Sequence, residues 1–208
     1  MRGESPTDAI RCSLNTALDV PELYVYGEIG DPYDGLTASD IVPRLADLRS
    51  SQITVRINSG GGSVFDGIAL HSALVAHPAR VTTVVDGIAA SAASFVAQAG
   101  DVRIMRPAAS MMIHNASGLA YGTSVTMRDM ADLLDQVSAT IAGIYADRSG
   151  RPARQFADAM AAETWYQAQA AVDAGLADQV SDGATNLATA FSRDQQIRAR
   201  ARATLRRG

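Results

Sequence analysis

Lysine is absent from the 208 residues: all 18 basic residues are Arg, and the 22 acidic ones divide into 18 Asp and only 4 Glu. Without an ε-amino group there is no Schiff-base lysine, no P-loop phosphate lysine and no Ser-Lys hydrolytic dyad. A formal net charge of −4 argues against nucleic acid as a partner, because a phosphate-tracking surface shows as a basic balance. The single cysteine, Cys12, allows no intramolecular disulfide and no zinc site built from several thiolates, a pattern that fits a reducing compartment. No window approaches 18 consecutive apolar residues, and the opening MRGESPTDAI is polar. Neither a membrane-spanning helix nor a secretory signal is therefore expected, and the reading is a soluble, cytoplasmic protein of one domain with short appendages.

What is present reads as alternating strands and helices. Residues 1–20 show no clear period and read as an N-terminal arm. LYVYGEIG, from Leu23 to Gly30, is an aromatic and β-branched strand, and the turn-rich DPYDGLTASD follows it. Thr37 or Ser39 can cap a helix with Pro43 in its first turn and Ile41, Leu45 and Leu48 on one face, after which Ile53 to Ile57 alternates as a strand. NSGGGSVFDG then opens a helix through about His77. Next come a strand from Val81 to Val85, a loop at Asp86-Gly87, an Ala-rich helix from Ser91, and strands Val102 to Met105 and Met111 to His114. This order predicts an α/β fold.

A Gly-rich loop, NASGLAYGT, leads to Thr123, which can cap a long helix carrying Met130, Leu133, Leu134, Val137, Ile141, Ile144 and Tyr145 at helical spacing. Gly150 ends it, Pro152 begins a short helix, Trp165-Tyr166 starts a strand, and Ala168 to Ala174 is a last helix stopped by Gly175. The main domain spans 21–185. The tail 186–208 is basic: from Ser192 on it holds six Arg against one Asp, leaving 12 Arg against 21 acidic residues before it. It reads as a solvated, flexible end, with docking on an acidic partner as the other reading.

Three local features carry chemistry. Ser91, in GIAASAAS, follows a strand and opens a helix among small residues that let the backbone turn sharply, so its hydroxyl is either a helix cap or an exposed nucleophile. INSGGGSV places three glycines after a strand, where backbone N–H groups can face an anion. An oxyanion hole, a phosphate cradle and a flexible turn all use that geometry, although GGGS lacks the P-loop ending. His114, in SMMIHN, ends an apolar strand beside a loop, where α/β sites form, whereas His71 and His77 lie on or just after a helix and read as packing or surface residues.

NSGGGSV, GIAASAAS and MMIHN, in this order and spacing, resemble the signatures of the Clp protease proteolytic subunit, ClpP, over roughly Tyr24 to Val180. The resemblance implies the ClpP/crotonase-like spiral of ββα units with a protruding handle helix, and a serine endopeptidase that needs no cofactor and no metal. It makes Ser91 the nucleophile, His114 the general base, and the backbone N–H groups of Gly61 and Ala92 the oxyanion hole. Where the family has an Asp before an aromatic residue and a short helix, this chain has AETWYQAQAAVDAGLAD, which puts Glu163 in the carboxylate's place. A Glu can orient an imidazole as an Asp does. Asp158 and Asp173 are the nearby alternatives.

Gly60 stands where the family has Pro, and AETWY with the DPYDG loop looks more like the phage-encoded relatives that cut scaffold and capsid proteins in assembling proheads. By resemblance the stripe from Met130 to Tyr145 joins subunits into rings, heptamers stacked as a tetradecamer, with polypeptides as substrates and either an AAA+ unfoldase or a phage scaffold or capsid protein as partner. Covering its own core is the simpler role for that stripe. The competing functions are a housekeeping ATP-dependent subunit, a crotonase-fold acyl-CoA enzyme and an inactive structural subunit. The Ser-Lys signal-peptide peptidases are excluded by the missing Lys.

Overall fold

The computed structural model describes residues 13–15, 20–30 and 37–181. Most of the N-terminal arm, the DPYDG loop, Cys12 and the basic tail lie outside the described residues. The strands are β1 (Ser13–Asn15), β2 (Val20–Tyr26), β3 (Gln52–Ser59), β4 (Arg80–Ala90), β5 (Val102–Met105), β6 (Ser110–Ile113), β7 (Thr164–Gln167) and β8 (Gln179–Val180). The helices are α1 (Ala38–Asp47), α2 (Val64–Ala76), α3 (Ala92–Val96), α4 (Ser124–Ser149), α5 (Ala153–Ala161) and α6 (Ala168–Asp173). The sheet runs β1-β2-β3-β4-β5-β8, with β6 branching from β4 and β7 pairing β6. Pairings along β2, β3, β4, β5 and β8 are all parallel, as short strands joined through crossover helices require.

β4 is the element that positions the site, and it corrects the sequence reading. The expected loop at Asp86-Gly87 is interior to this strand. Pairing with β3 advances from Ile57↔Val85 to Ser59↔Ala89, so β4 carries two extra residues there and bulges. The Asp-Gly signal marks that bulge. Before it β4 pairs with β5, and after it, from Ile88 to Ala90, with β6. Asp86 anchors the kink by accepting from Tyr26 Oη at 2.8 Å, Arg56 Nε at 3.0 Å and Arg106 Nε at 3.4 Å. Burial and the bond to Asp86 push the Tyr26 phenol above its ordinary pKa.

Helix boundaries follow local chemistry. Thr37 caps α1 by accepting from the Asp40 N–H, and Ser63 caps α2 by accepting from Asp66. Pro43 lies inside α1, beyond the first turn, and Pro152 is the cap residue before α5, one position earlier than expected. β8 had no separate signal: two residues pairing with Ile104 and Met105 are too short for a periodic pattern. Leu23, Ile57, Leu70, Leu74 and Phe95 are fully buried between sheet and helices, each contributing roughly 1.5–3 kcal/mol of transfer free energy. α2 approaches α3 so closely that a Cβ on Gly67 would stand 2.8 Å from the Phe95 ring. That contact seats the helix that follows Ser91.

The long helix α4 divides in two. Val137, Ile141, Ala142 and Tyr145 are buried, and the Tyr145 ring packs at 5.6 Å on Phe156 of α5. The first half and the loop before it project outward, with Leu119 97% and Tyr121 99% exposed, and Val125, Met127 and Leu133 also exposed.

Candidate active site

Ser91 sits between β4 and α3 with φ 52° and ψ −123°, a left-handed conformation that a non-glycine residue adopts only when its surroundings impose it. Two bonds impose it. The Ser91 N–H donates to the Met112 carbonyl of β6 at 3.0 Å, and the Ser91 carbonyl accepts the Ser94 N–H at 3.0 Å. No cap bond occupies the hydroxyl. Its oxygen lies 2.7 Å from His114 Nε2, at the first residue past β6. β4 thus delivers Ser91 and its neighbour β6 delivers His114 to the same end of the sheet.

Glu163 precedes β7, which runs antiparallel to β6 with Ile113 opposite Thr164. Glu163 and His114 are the residues immediately beyond that last pair, at the same end of the two strands. Glu163 is exposed and has φ 48°, again unusual for a side-chain-bearing residue. Among the described residues, no hydrogen bond or ion pair joins the two side chains. The alternative carboxylates point elsewhere: Asp158 on α5 faces Arg154 at 3.9 Å, and Asp173 accepts from Gln169 Nε2 at 3.0 Å.

The glycine loop after β3 lies directly on Ser91. A Cβ on Gly61, whose φ is +101°, would stand 2.6 Å from Ser91 Cβ and 2.9 Å from the Ala92 nitrogen. Yet the Gly61 N–H, the donor that the resemblance implies, donates to Ser59 Oγ at 3.1 Å. Its neighbour differs. Gly62 forms an isolated parallel bridge with Ile29, in which Ile29 N–H donates to Gly61 O and Ser63 N–H donates to Ile29 O, both at 2.7 Å. In such a bridge the N–H of Gly62 itself turns to the opposite side. Gly62 and Ala92 both line a cleft of about 200 Å³ with Ser91, His114, Phe95 and Ile141. Ala92 is the first residue of α3, where the N–H has no intrahelical partner. Gly60 has open space where a side chain would go, so nothing around it demands the missing Pro.

The other histidines have structural surroundings. His77 Nδ1 accepts the Ala79 N–H at 3.0 Å, so Nε2 donates to Leu45 O at 3.0 Å and ties α2 to α1. His71 lies on α2 with Nε2 buried, and desolvation, aided by the Arg148 charge, lowers its pKa. Among the described residues, no group of three or more His, Cys, Asp or Glu converges as a metal site. No helix among them is long and apolar enough to cross a membrane.

Sequence reasoning gave Gly62 no role of its own, and its bridge to Ile29 is invisible in a run of three glycines. It also treated Tyr145 only as part of an apolar stripe and gave Ser94 no role, although its i+3 spacing from Ser91 within a helical start was legible.

Comparison with known proteins gives a consistent result. A family model described as Clp protease matches residues 18–184. The ATP-dependent Clp protease proteolytic subunit of Oltmannsiellopsis viridis is 34% identical over 138 residues, 65% of this chain and 71% of that protein. The ATP-dependent Clp protease proteolytic subunit 3 of Rhodococcus jostii is 31% identical over 156 residues, 74% of this chain and 77% of that one. Among solved structures, a ClpP1 variant from Listeria monocytogenes matches with a TM-score of 0.71 at 24% identity, over 80% of this chain and 94% of its own. At that identity the match speaks for the fold.

Proposed function

The chain belongs to the Clp protease family of serine peptidases, and from that premise we propose that it is an endopeptidase working through Ser91, His114 and Glu163. The observation that carries this reading is the strained turn at Ser91, which leaves the hydroxyl oxygen uncapped and 2.7 Å from His114 Nε2. A residue held in such a conformation against its preference points to a role beyond packing.

The chemistry is acyl transfer. With its proton on Nδ1, His114 accepts the Ser91 proton at Nε2 as Oγ attacks the peptide carbonyl. The oxyanion that forms is bound by the N–H groups of Gly62 and Ala92; Gly62 takes the role first given to Gly61, whose N–H already serves Ser59. His114 then returns the proton to the leaving amine, and water, activated by the same imidazole, releases the acyl group from Ser91. The Glu163 carboxylate accepts the Nδ1 proton's hydrogen bond and stabilises the imidazolium. Its place beside His114, immediately beyond the Ile113–Thr164 pair of β6 and β7, supports this role, and such contacts tighten when substrate binds.

Assembly belongs to the same proposal. The exposed Leu119, Tyr121, Val125 and Met127 on the projecting half of α4 and its loop suit a subunit interface better than water. Rings, heptameric and stacked in pairs through these helices, would enclose the clefts and restrict substrates to extended polypeptides. Within the family, the Glu in AETWYQ supports a prohead protease acting on scaffold or capsid proteins. A second reading, a subunit fed by an AAA+ unfoldase, is favoured by the relatives named ATP-dependent proteolytic subunits. Incubation with an unstructured protein, with and without a Clp unfoldase and ATP, tests both. Cleavage by wild type that is lost in Ser91→Ala supports the peptidase, and stimulation by ATP and unfoldase selects the second reading.

A further inference from the structure

We propose that Tyr145 and Ser94 are positioning residues for the reaction, holding the Ala92 N–H on the oxyanion through a hydrogen-bond chain that ends on the Ser91 carbonyl. The inference rests on the serine-peptidase reading above and adds to it a part played by α4.

The chain can be followed proton by proton. Ser94 Oγ donates to the Ser91 carbonyl oxygen, which also receives the Ser94 N–H. A serine hydroxyl has one proton. The 2.7 Å contact between Ser94 Oγ and Tyr145 Oη is therefore a bond that the tyrosine donates. Both side chains are enclosed, Ser94 at 0% and Tyr145 at 1% exposure, and burial raises the phenol's pKa, keeping it a donor. Ser94 is fixed from its other side as well: its carbonyl accepts from Gln98 Nε2 at 3.0 Å, and Gln98 Oε1 accepts from Arg103 at 2.8 Å.

What this chain holds is one peptide plane. The Ser91 carbonyl and the Ala92 N–H belong to the same rigid unit, so fixing the direction of the oxygen fixes the direction of the N–H. The Ser91 N–H bond to Met112 sets φ at this residue, and the two bonds to its carbonyl set ψ. With both planes anchored, Oγ is held 2.7 Å from His114 Nε2 and the direction of the N–H is fixed at Ala92, which lines the cleft with Gly62. Tyr145 reaches this point from α4, 51 residues further along the chain. The helix whose exposed half is proposed above as a subunit interface is thereby bonded to the elbow of the nucleophile.

An oxyanion donor acts on the transition state and not on bound substrate, so the effect belongs in kcat and not in KM. The test is the double variant Ser94→Ala with Tyr145→Phe, which removes both hydroxyls together and leaves no buried polar group without a partner. Its kcat per titrated active site on a short peptide substrate should fall about 10- to 100-fold, with KM within about 2-fold and the melting temperature nearly unchanged. Tyr145→Phe alone, which keeps the ring against Phe156 and leaves Ser94 still donating to Ser91, should fall part of the way, and it decides the matter if the double variant does not fold. An unchanged kcat per active site overturns the positioning role. Wild-type protein that takes no serine-directed phosphonate at Ser91 overturns the peptidase site itself, so the two failures are told apart.

Discussion

His114 Nε2 lies 2.7 Å from Ser91 Oγ across 23 residues of sequence, because the kinked end of β4 and the end of β6 pair side by side. Replacing His114 with Ala should lower kcat on a peptide substrate by about 10³-fold or more while the protein still folds, since a triad without its base keeps only the oxyanion hole and binding. Steady-state kinetics beside a thermal melt checks this.

Glu163 and the two nearby aspartates give a contrast inside one region. Glu163→Gln should cost about 100-fold or more in kcat at nearly constant KM, because the amide no longer stabilises the imidazolium. Asp158→Asn and Asp173→Asn should stay within about 2-fold of wild type, since their carboxylates face Arg154 and Gln169.

The projecting half of α4 should govern assembly. Val125→Asp together with Met127→Asp places charge on the exposed apolar face and should reduce the sedimenting mass by at least half without lowering the melting temperature of the subunit by more than a few degrees. Analytical ultracentrifugation at micromolar concentration reads both species.

Acid should act on stability through His71. Desolvation first, and the Arg148 charge second, hold its imidazole below the ordinary value of 6.5, so below that value the unfolded chain takes up a proton that the folded chain resists. Stability present above about pH 6.5 is then lost as pH falls toward the folded pKa. His71→Leu should show a smaller drop in melting temperature between about pH 7 and pH 5 than wild type.

Much of this arrangement was legible in the residues, for physical reasons that also mark where legibility ended. Caps and glycines are local, so Thr37, Thr123 and Gly150 bounded α1 and α4 as expected. Ser91 and His114 were singled out from local signals, small residues at a helix start and the end of an apolar strand, although the strand that reaches Ser91 was expected to stop at Val85 and runs on to Ala90. The long-range features were not legible. Asp86-Gly87 is a turn signal that the pairing with β3 converts into a bulge, Gly62 is set apart from Gly61 by its bridge to Ile29 and by the Gly61 bond to Ser59, and the Ser94–Tyr145 bond joins elements that no sequence period connects.

The most direct measurement is intact mass and peptide mapping of the protein after exposure to a serine-directed fluorophosphonate. A single adduct on Ser91, formed at a rate that falls sharply in His114→Ala and absent from Ser91→Ala, is the expected result. Labelling that spares Ser91 in the wild-type protein, or peptide cleavage that survives in Ser91→Ala, would contradict the assignment of the nucleophile.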